Sequence, residues 1–443
     1  MSQITSDIVP PGPLQRWERL FLAALFAVSL ALRVFFIFRY ESWVSPTQNE
    51  HHVVAMNILA GKGYSGDFQF ARFGPTTVPY PLYTYFLSGW YWITGGTNYF
   101  WLMMLQCVIS AAVPAVAYLA ARRIFSRPAA VAAAALTAFD YFLAITPTYV
   151  SQPVLHILLV SILVLLVFRL AEIPTWGRAA AAGILFGLVA LTKTDILLFM
   201  FLSTLWLLRR FEGRFWRRLA PLAVMWAACA LTISPWTIRN WVVFERFIPI
   251  SSTMGMHVWI GANPRANGGQ YAADGLSIQA KLPADLWLDL VDDEGRPDKL
   301  DYEVSDVFMR HALKYIREHP LRYLAVRPRA LFYTFFNQNY WMDPSKPVFV
   351  YNPVLKWLTV AMMLTVLAGF WTARAYTPRK VLPALLILSY AILYSFFHSD
   401  IDNRFRLPLE PFLLMYAATA LAALLGAIFW SGRFAAAAEK KSL

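Results

Sequence analysis

Charge is scarce in this chain: only 15% of its 443 residues are Asp, Glu, Lys or Arg, against about 25% in an ordinary soluble domain. That scarcity, beside 58% hydrophobic residues and a mean hydropathy of +0.48, excludes a disordered segment and a coiled coil, which both depend on charge. Cysteine is scarcer still. Cys107 and Cys229 are the two present, both inside apolar stretches, which excludes a disulfide scaffold and any cysteine metal motif. What the chain has in abundance is long apolar runs and aromatic rings, the latter 16% of the total. The class is a polytopic membrane protein.

The charge that remains is lopsided, with 39 Lys and Arg against 26 Asp and Glu, a net of +13. Basic chains bind nucleic acid by neutralising phosphates, but membrane proteins also gather Lys and Arg in their cytoplasmic loops. The positions decide between these. Apolar runs near 20–38, 99–120, 129–146, 153–168, 179–192, 196–208, 219–236, 351–372, 381–397 and 409–429 give about ten candidate transmembrane helices. The stretch 79–94, PYPLYTYFLSGWYWIT, is short, opens with prolines and is crowded with Tyr and Trp. It reads as a juxtamembrane helix lying in the outer interface. With that choice Arg122, Arg123 and Arg127, then Arg169 and Arg178, then Arg209 to Arg218, then Arg374, Arg379 and Lys380, all face the cytoplasm, as do both termini. The basic total is therefore an orientation signal in a multi-pass inner (plasma) membrane protein, and no nucleic-acid partner is implied.

The chain divides into three parts. Residues 1–236 form an N-terminal transmembrane module with a first outer loop at 40–98, residues 237–350 a larger mixed outer loop region, and residues 351–443 the C-terminal helices and a cytoplasmic tail. Within the second, DYEVSDVFMRHALKYIREH at 301–319 predicts an amphipathic helix with Val304, Phe308, Leu313 and Ile316 on one face, ended by Pro320.

Chemistry-bearing residues concentrate in the outward segments, where membrane scaffolds carry their function. Glu50 opens the amphipathic stretch EHHVVAMNILAG. Its carboxylate is placed to take a proton from a substrate hydroxyl, or to complement the positive end of a helix; residue chemistry leaves both open. His51 and His52 are adjacent and point apart on a helix, so a shared metal is not expected. Arg239, in the run Ser234-Pro235-Trp236-Thr237-Ile238-Arg239-Asn240, is suited either to bidentate phosphate binding or to interfacial anchoring. A third cluster holds His398, Asp400, Asp402, Arg404, Arg406 and Glu410, while Lys193, Asp195 and Asp140 interrupt apolar stretches. Such groups are expensive in hydrocarbon unless they are paired or used.

The order of these pieces resembles the GT-C superfamily of integral-membrane glycosyltransferases, in particular the bacterial family-39-like set related to the protein mannosyltransferases and RgtABCD-like enzymes. The resemblance covers about residues 20 to 425. It is carried by Glu50 with Ala55, Gly61-Lys62-Gly63-Tyr64-Ser65, Gly74-Pro75-Thr76, Tyr80-Pro81-Leu82-Tyr83, Leu191-Thr192-Lys193, Pro235 to Asn240, Trp259 to Pro264 and Asn403 to Pro408. It implies an inverting transferase that moves one sugar from a polyprenyl-phosphate carrier to a cell-envelope glycan, lipid or protein on the periplasmic or external face. Many relatives place an Asp-Glu pair where this chain has Thr47 and Gln48, and a carboxylate where it has Gln152; Glu50 becomes the candidate catalytic base. The carrier phosphate needs cations, for which Arg239 and Arg404 stand first by position, followed by Arg72, Lys193 and Arg406. His51 and Tyr83 complete the candidate substrate-binding set. The donor sugar-lipid is a substrate, no resident cofactor is expected, and no ligand set supports the divalent metal that some members bind. A transporter or flippase, which predicts repeats and midplane charges that the chain does not show, and a non-catalytic lipid-glycan-binding subunit on the same scaffold, which the absent Asp-Glu pair suggests, are the rival readings.

Overall fold

The computed structural model describes residues 12–46, 49–68, 70–268, 282–336, 353–373, 377–397 and 405–439. It is built almost wholly of helices. The N-terminal part runs α1 (Arg16–Tyr40), α2 (Glu50–Leu59), α3 (Pro81–Thr94), α4 (Tyr99–Ala111), α5 (Val113–Ile124), α6 (Arg127–Phe139), α7 (Tyr141–Ile145), α8 (Pro153–Glu172), α9 (Trp176–Ala190), α10 (Ile196–Arg210) and α11 (Phe215–Phe244). The middle region contributes α12 (Met254–Gly261), α13 (Ala284–Leu288), α14 (Asp301–Glu318), α15 (Pro320–Ala325) and α16 (Arg327–Phe336). The chain returns to the bundle through α17 (Pro353–Thr372), α18 (Pro378–Phe396) and α19 (Glu410–Glu439). The one sheet among the described residues is a two-stranded antiparallel pair, β1 (Ser65–Gly66) and β2 (Gly74–Pro75).

Every apolar run read from the sequence coincides with a helix, but fewer of these helices than the ten expected are long and apolar enough to span a membrane on their own. Among the described residues, six helices are long and apolar enough to cross a membrane, or seven when the bent pair α6–α7 counts as one. The difference has local causes. Pro114 lacks the amide that would continue α4 into α5, but Tyr99–Ile124 still counts as one candidate, as it does in the sequence. Asp140 accepts a hydrogen bond from the Leu143 amide at 2.8 Å and so caps α7, bending the next candidate by 47°. Helices α9 and α10 have only 15 residues each, about 22 Å of helix where the hydrocarbon core is about 30 Å thick.

Helix α11 is the opposite case. Its 30 residues extend about 45 Å, so roughly 15 Å lies outside an ordinary bilayer core. Pro235 cannot donate to the Leu231 carbonyl four residues back; the Ser234 hydroxyl does so instead at 2.9 Å, and the helix continues. The lower part of α11 packs on α9 through two glycines. A Cβ at Gly183 would stand 2.1 Å from the Met225 carbonyl oxygen, and one at Gly187 2.6 Å from the Thr232 Cβ. This small-xxx-small face allows backbone contact between the two helices.

The two ends of the bundle differ in kind. At one end, Glu18 is fully buried, accepts a 2.5 Å hydrogen bond from Tyr118 and faces Arg122 and Arg127, while Arg123 pairs with Glu172 at 3.0 Å. Arg379 donates to the Arg123 carbonyl there. At the other end gather α2, α3 and α12 to α14. The middle region has its own small core, in which Trp259, Leu286, Val304, Phe308, Ala312 and Tyr315 are buried together. The buried face of α14 therefore runs through Val304, Phe308, Ala312 and Tyr315, whereas Leu313, expected on it, is 51% exposed. Leu313 lies one residue, or 100°, beyond that stripe.

Candidate active site

Helix α2 begins where Asn49 accepts from the His52 amide at 3.3 Å and donates to the Val150 carbonyl at 2.9 Å. That cap orients the first turn, and with it Glu50 and His51, toward a cavity of about 160 Å³ at the loop-bearing end of the bundle. Val78, Pro79 and Tyr80 form one wall, Tyr149 to Pro153 a second, and Lys193, His257, Phe405 and Pro408 close it. His156 contributes from the first turn of α8. Its ring is held on both nitrogens, by Thr192 at 2.6 Å and Tyr390 at 3.1 Å.

Among the described residues no hydrogen bond or ion pair engages the half-buried Glu50 carboxylate. Its neighbour is held from two sides. His51 Nδ1 lies 2.8 Å from the Thr84 hydroxyl and Nε2 lies 3.0 Å from Gln152 Oε1. Thr84 has one proton, which it gives to the Tyr80 carbonyl at 3.0 Å; the Tyr64 hydroxyl, whose shorter bond goes to the Pro79 carbonyl at 2.8 Å, lies 3.1 Å from it. His51 therefore donates from Nδ1, and its Nε2 faces an amide that can turn either its oxygen or its nitrogen to the ring. A carboxylate at residue 152 would accept only. Gln152 thus accommodates both the neutral and the protonated imidazole.

Lys193 reaches the cavity with its ammonium 3.2 Å from Asp195, 2.7 Å from the Tyr394 hydroxyl and 3.6 Å from the centre of the Phe405 ring. The sequence leaves Lys193 and Asp195 as breaks in an apolar stretch; in the fold they pair. Tyr394 also donates to Asp195. On the opposite wall, burial pushes the Tyr80 phenol up to about 12. It remains a neutral hydroxyl, and its oxygen is 3.3 Å from Thr194.

The other expected site residues stand elsewhere. Arg239 does not line the cavity. Its two terminal nitrogens donate to the carbonyls of Thr76 at 3.1 Å and Tyr64 at 3.0 Å, and its guanidinium centre is 4.8 Å from the middle of the Trp236 ring. Arg72 is exposed beside the middle region, where its amide bonds the Lys299 carbonyl at 2.8 Å. Arg406 is buried and paired with the buried Glu410 at 2.5 Å, turned into the bundle while neighbouring Phe405 faces the cavity. Tyr83 is fully buried; it donates to Gln106 at 2.7 Å and meets the His51 ring edge-on. Arg404, with His398, Asp400, Asp402, Thr47 and Gln48, lies outside the described residues. The structure thus brings together Glu50, His51 and Lys193 from that set and adds His156, His257, Tyr80 and Gln152. His156 and His257 carried no sequence signal, being single histidines within apolar runs. Among the described residues no group of three or more His, Cys, Asp or Glu is spaced to hold a metal ion.

Comparison with known proteins supplies context for this geometry. Residues 77–238 match the family described as dolichyl-phosphate-mannose-protein mannosyltransferase. No curated protein matches the chain by sequence. Among solved structures, the Archaeoglobus fulgidus oligosaccharyltransferase tethered to an acceptor peptide aligns with a TM-score of 0.53 at 15% identity, over 94% of this chain and 50% of that one. The same archaeal enzyme, AglB, in complex with an inhibitory peptide and a dolichol-phosphate aligns with a TM-score of 0.53 at 16% identity, over 95% and 52%. The chain thus spans about half the length of those proteins. ArnT from Cupriavidus metallidurans, bound to undecaprenyl phosphate, aligns more loosely, with a TM-score of 0.42 at 15% identity, over 92% and 78%. Over nearly its whole length this chain is similar in fold to the archaeal oligosaccharyltransferase.

Proposed function

We propose that the protein is an inverting glycosyltransferase that moves one sugar from a polyprenyl-phosphate carrier to a cell-envelope acceptor, a glycan, lipid or protein, on the outer face of the membrane. The observation that carries this reading is the cavity itself, which sets the unengaged carboxylate of Glu50 and the ammonium of Lys193 on one small space. The dolichol-phosphate held by AglB and the mannosyltransferase match over residues 77–238 support the same donor class.

The chemistry is then an in-line displacement. Glu50 removes the proton from the acceptor hydroxyl as its oxygen bonds to the anomeric carbon. The bond from that carbon to the phosphate oxygen breaks, its electron pair stays on the departing polyprenyl phosphate, and the configuration inverts. Charge builds on the leaving phosphate, and a cation fixed before the reaction stabilises it most where charge develops. Lys193 is that cation; its alignment is set by Asp195, Tyr394 and Phe405. His51 holds the first turn of α2 against α3 and α8, so that the base is presented in one orientation. The test is turnover by purified protein in lipid nanodiscs with a panel of labelled polyprenyl-phosphate sugars, reading release of polyprenyl phosphate. Transfer from at least one donor is expected; transport of the intact lipid without cleavage would overturn the reading.

A further inference from the structure

Thr76 and Thr77 share one peptide group, and opposite charges hold its two ends. Arg239, from the projecting end of α11, donates to the Thr76 carbonyl oxygen at 3.1 Å. Asp301, in the first turn of α14, accepts from the Thr77 amide at 2.6 Å through Oδ2. The same oxygen accepts the Thr77 hydroxyl at 2.9 Å and the Thr76 hydroxyl at 3.1 Å. The cation faces the negative end of the peptide dipole and the anion its positive end, the orientation that electrostatics favours. Asp301 is 7% exposed, so little water competes for these bonds, and charge-assisted bonds in such surroundings are the stronger kind.

The chain passes from this peptide directly into the cavity wall. Val78, Pro79 and Tyr80 line the proposed site, and Pro81 starts α3 immediately after them. The Tyr80 carbonyl receives the Thr84 proton, which sets the partner of His51 Nδ1. A rotation of the Thr76–Thr77 peptide would re-aim all three wall residues. We infer that Arg239 and Asp301 are positioning residues: by gripping both ends of the Thr76–Thr77 peptide they hold the Val78–Tyr80 wall in register with Glu50 and Lys193. Arg239 then acts without touching the carrier phosphate, and the middle region shapes the site through Asp301 as well as through His257, which lines it directly. This inference rests on the proposed transferase activity.

The experiment uses full-length protein in nanodiscs with Asp301→Asn, Arg239→Lys, Thr77→Val and the Asp301→Asn/Arg239→Lys double variant. Misplacing a reacting group by about 1 Å costs on the order of 10²-fold in rate. Accordingly kcat falls about 10–100-fold in Asp301→Asn and Arg239→Lys while donor KM stays within about twofold. Thr77→Val, which keeps the gripped amide and loses one hydroxyl, shows a smaller loss. The double variant loses less than the product of the single losses, because both charges hold one peptide. Hydrogen exchange of the Thr77 amide accelerates in Asp301→Asn while protection of α8 is unchanged. A donor KM raised tenfold or more in Arg239→Lys with kcat retained would make Arg239 a phosphate contact and overturn the inference. So would an unchanged kcat in Asp301→Asn despite a lower melting temperature, the mark of a structural role alone. If the wild-type protein transfers no sugar, the proposed function fails. The exchange rate at Thr77, read on the same samples, still decides whether the clamp exists.

Discussion

Replacing Glu50 with Gln tests the proposed chemistry at its narrowest point. The substitution keeps shape and removes one charge. Among the described residues nothing bonds that carboxylate, so no partner is left stranded. Glu50 does stand in the first turn of α2, behind the Asn49 cap, and losing a negative charge there costs about 0.3–1 kcal/mol of helix-dipole complementarity. Loss of a general base costs about 10²–10⁴ in rate, which is about 2.7–5.4 kcal/mol in the barrier. The catalytic term exceeds the structural one several-fold, so the two are separable in one preparation. Tryptophan-fluorescence melting in nanodiscs should move by no more than a few degrees. Single-turnover release of polyprenyl phosphate from a saturating donor should slow by about 10²–10⁴, with donor affinity unchanged. Wild-type turnover in Glu50→Gln would refute the base assignment. A collapse in melting temperature matching the lost activity would refute the claim that the carboxylate is unengaged.

Other consequences can be checked alongside. Lys193→Gln should lower kcat/KM for the donor about 10–100-fold, the value of one charge-assisted hydrogen bond to phosphate; an unaltered kcat/KM would assign the phosphate to another cation. Gly183→Leu or Gly187→Leu forces apart the close-packed α9 and α11, and the midpoint of thermal aggregation in detergent should fall sharply in either. Overpacking of this kind costs about 1–3 kcal/mol or more, and an unchanged midpoint would mean that the two helices can separate freely. Burial holds the His52 imidazole below its ordinary value of 6.5, where it contacts Tyr91 at 3.1 Å. The unfolded chain then binds the proton more readily than the folded one, so stability declines as pH drops from about 6.5 toward the folded value. Melting temperature tracked from pH 7.5 to 5 should show that decline, and His52→Asn should flatten it; identical slopes in both proteins would count against the argument.

Much of the fold is readable from apolar runs because each helix needed for a bilayer must hide its own backbone, and hydropathy reports that directly. Where the reading fails, the cause is local. Asp140 divides what composition presents as continuous, and α9 and α10 are apolar but short. The site shows a similar division. Glu50 and Lys193 stand out because charge beside an apolar run is rare, and both line the cavity. Arg239 stands out equally and is turned to backbone carbonyls, since hydropathy places a cation near the interface without saying which acceptor it meets. Asp301 looks in the sequence like a common first-turn acid. Its bond to Thr77 spans more than two hundred residues of chain, and no local pattern encodes a contact of that range.

The length of α11 links the lipid to the reaction. One continuous rod runs from its packing on α9 to the guanidinium that holds the cavity wall, with the Ser234 hydroxyl bridging the gap at Pro235. A helix longer than the hydrocarbon is thick can answer a change in bilayer thickness by tilting, within what its packing on α9 allows. Such tilting is expected to alter the angle at which Arg239 meets the Thr76 carbonyl. If the proposed transfer is observed, turnover in nanodiscs made with progressively shorter acyl chains becomes a measure of how rigidly the protein couples its solvent to its site.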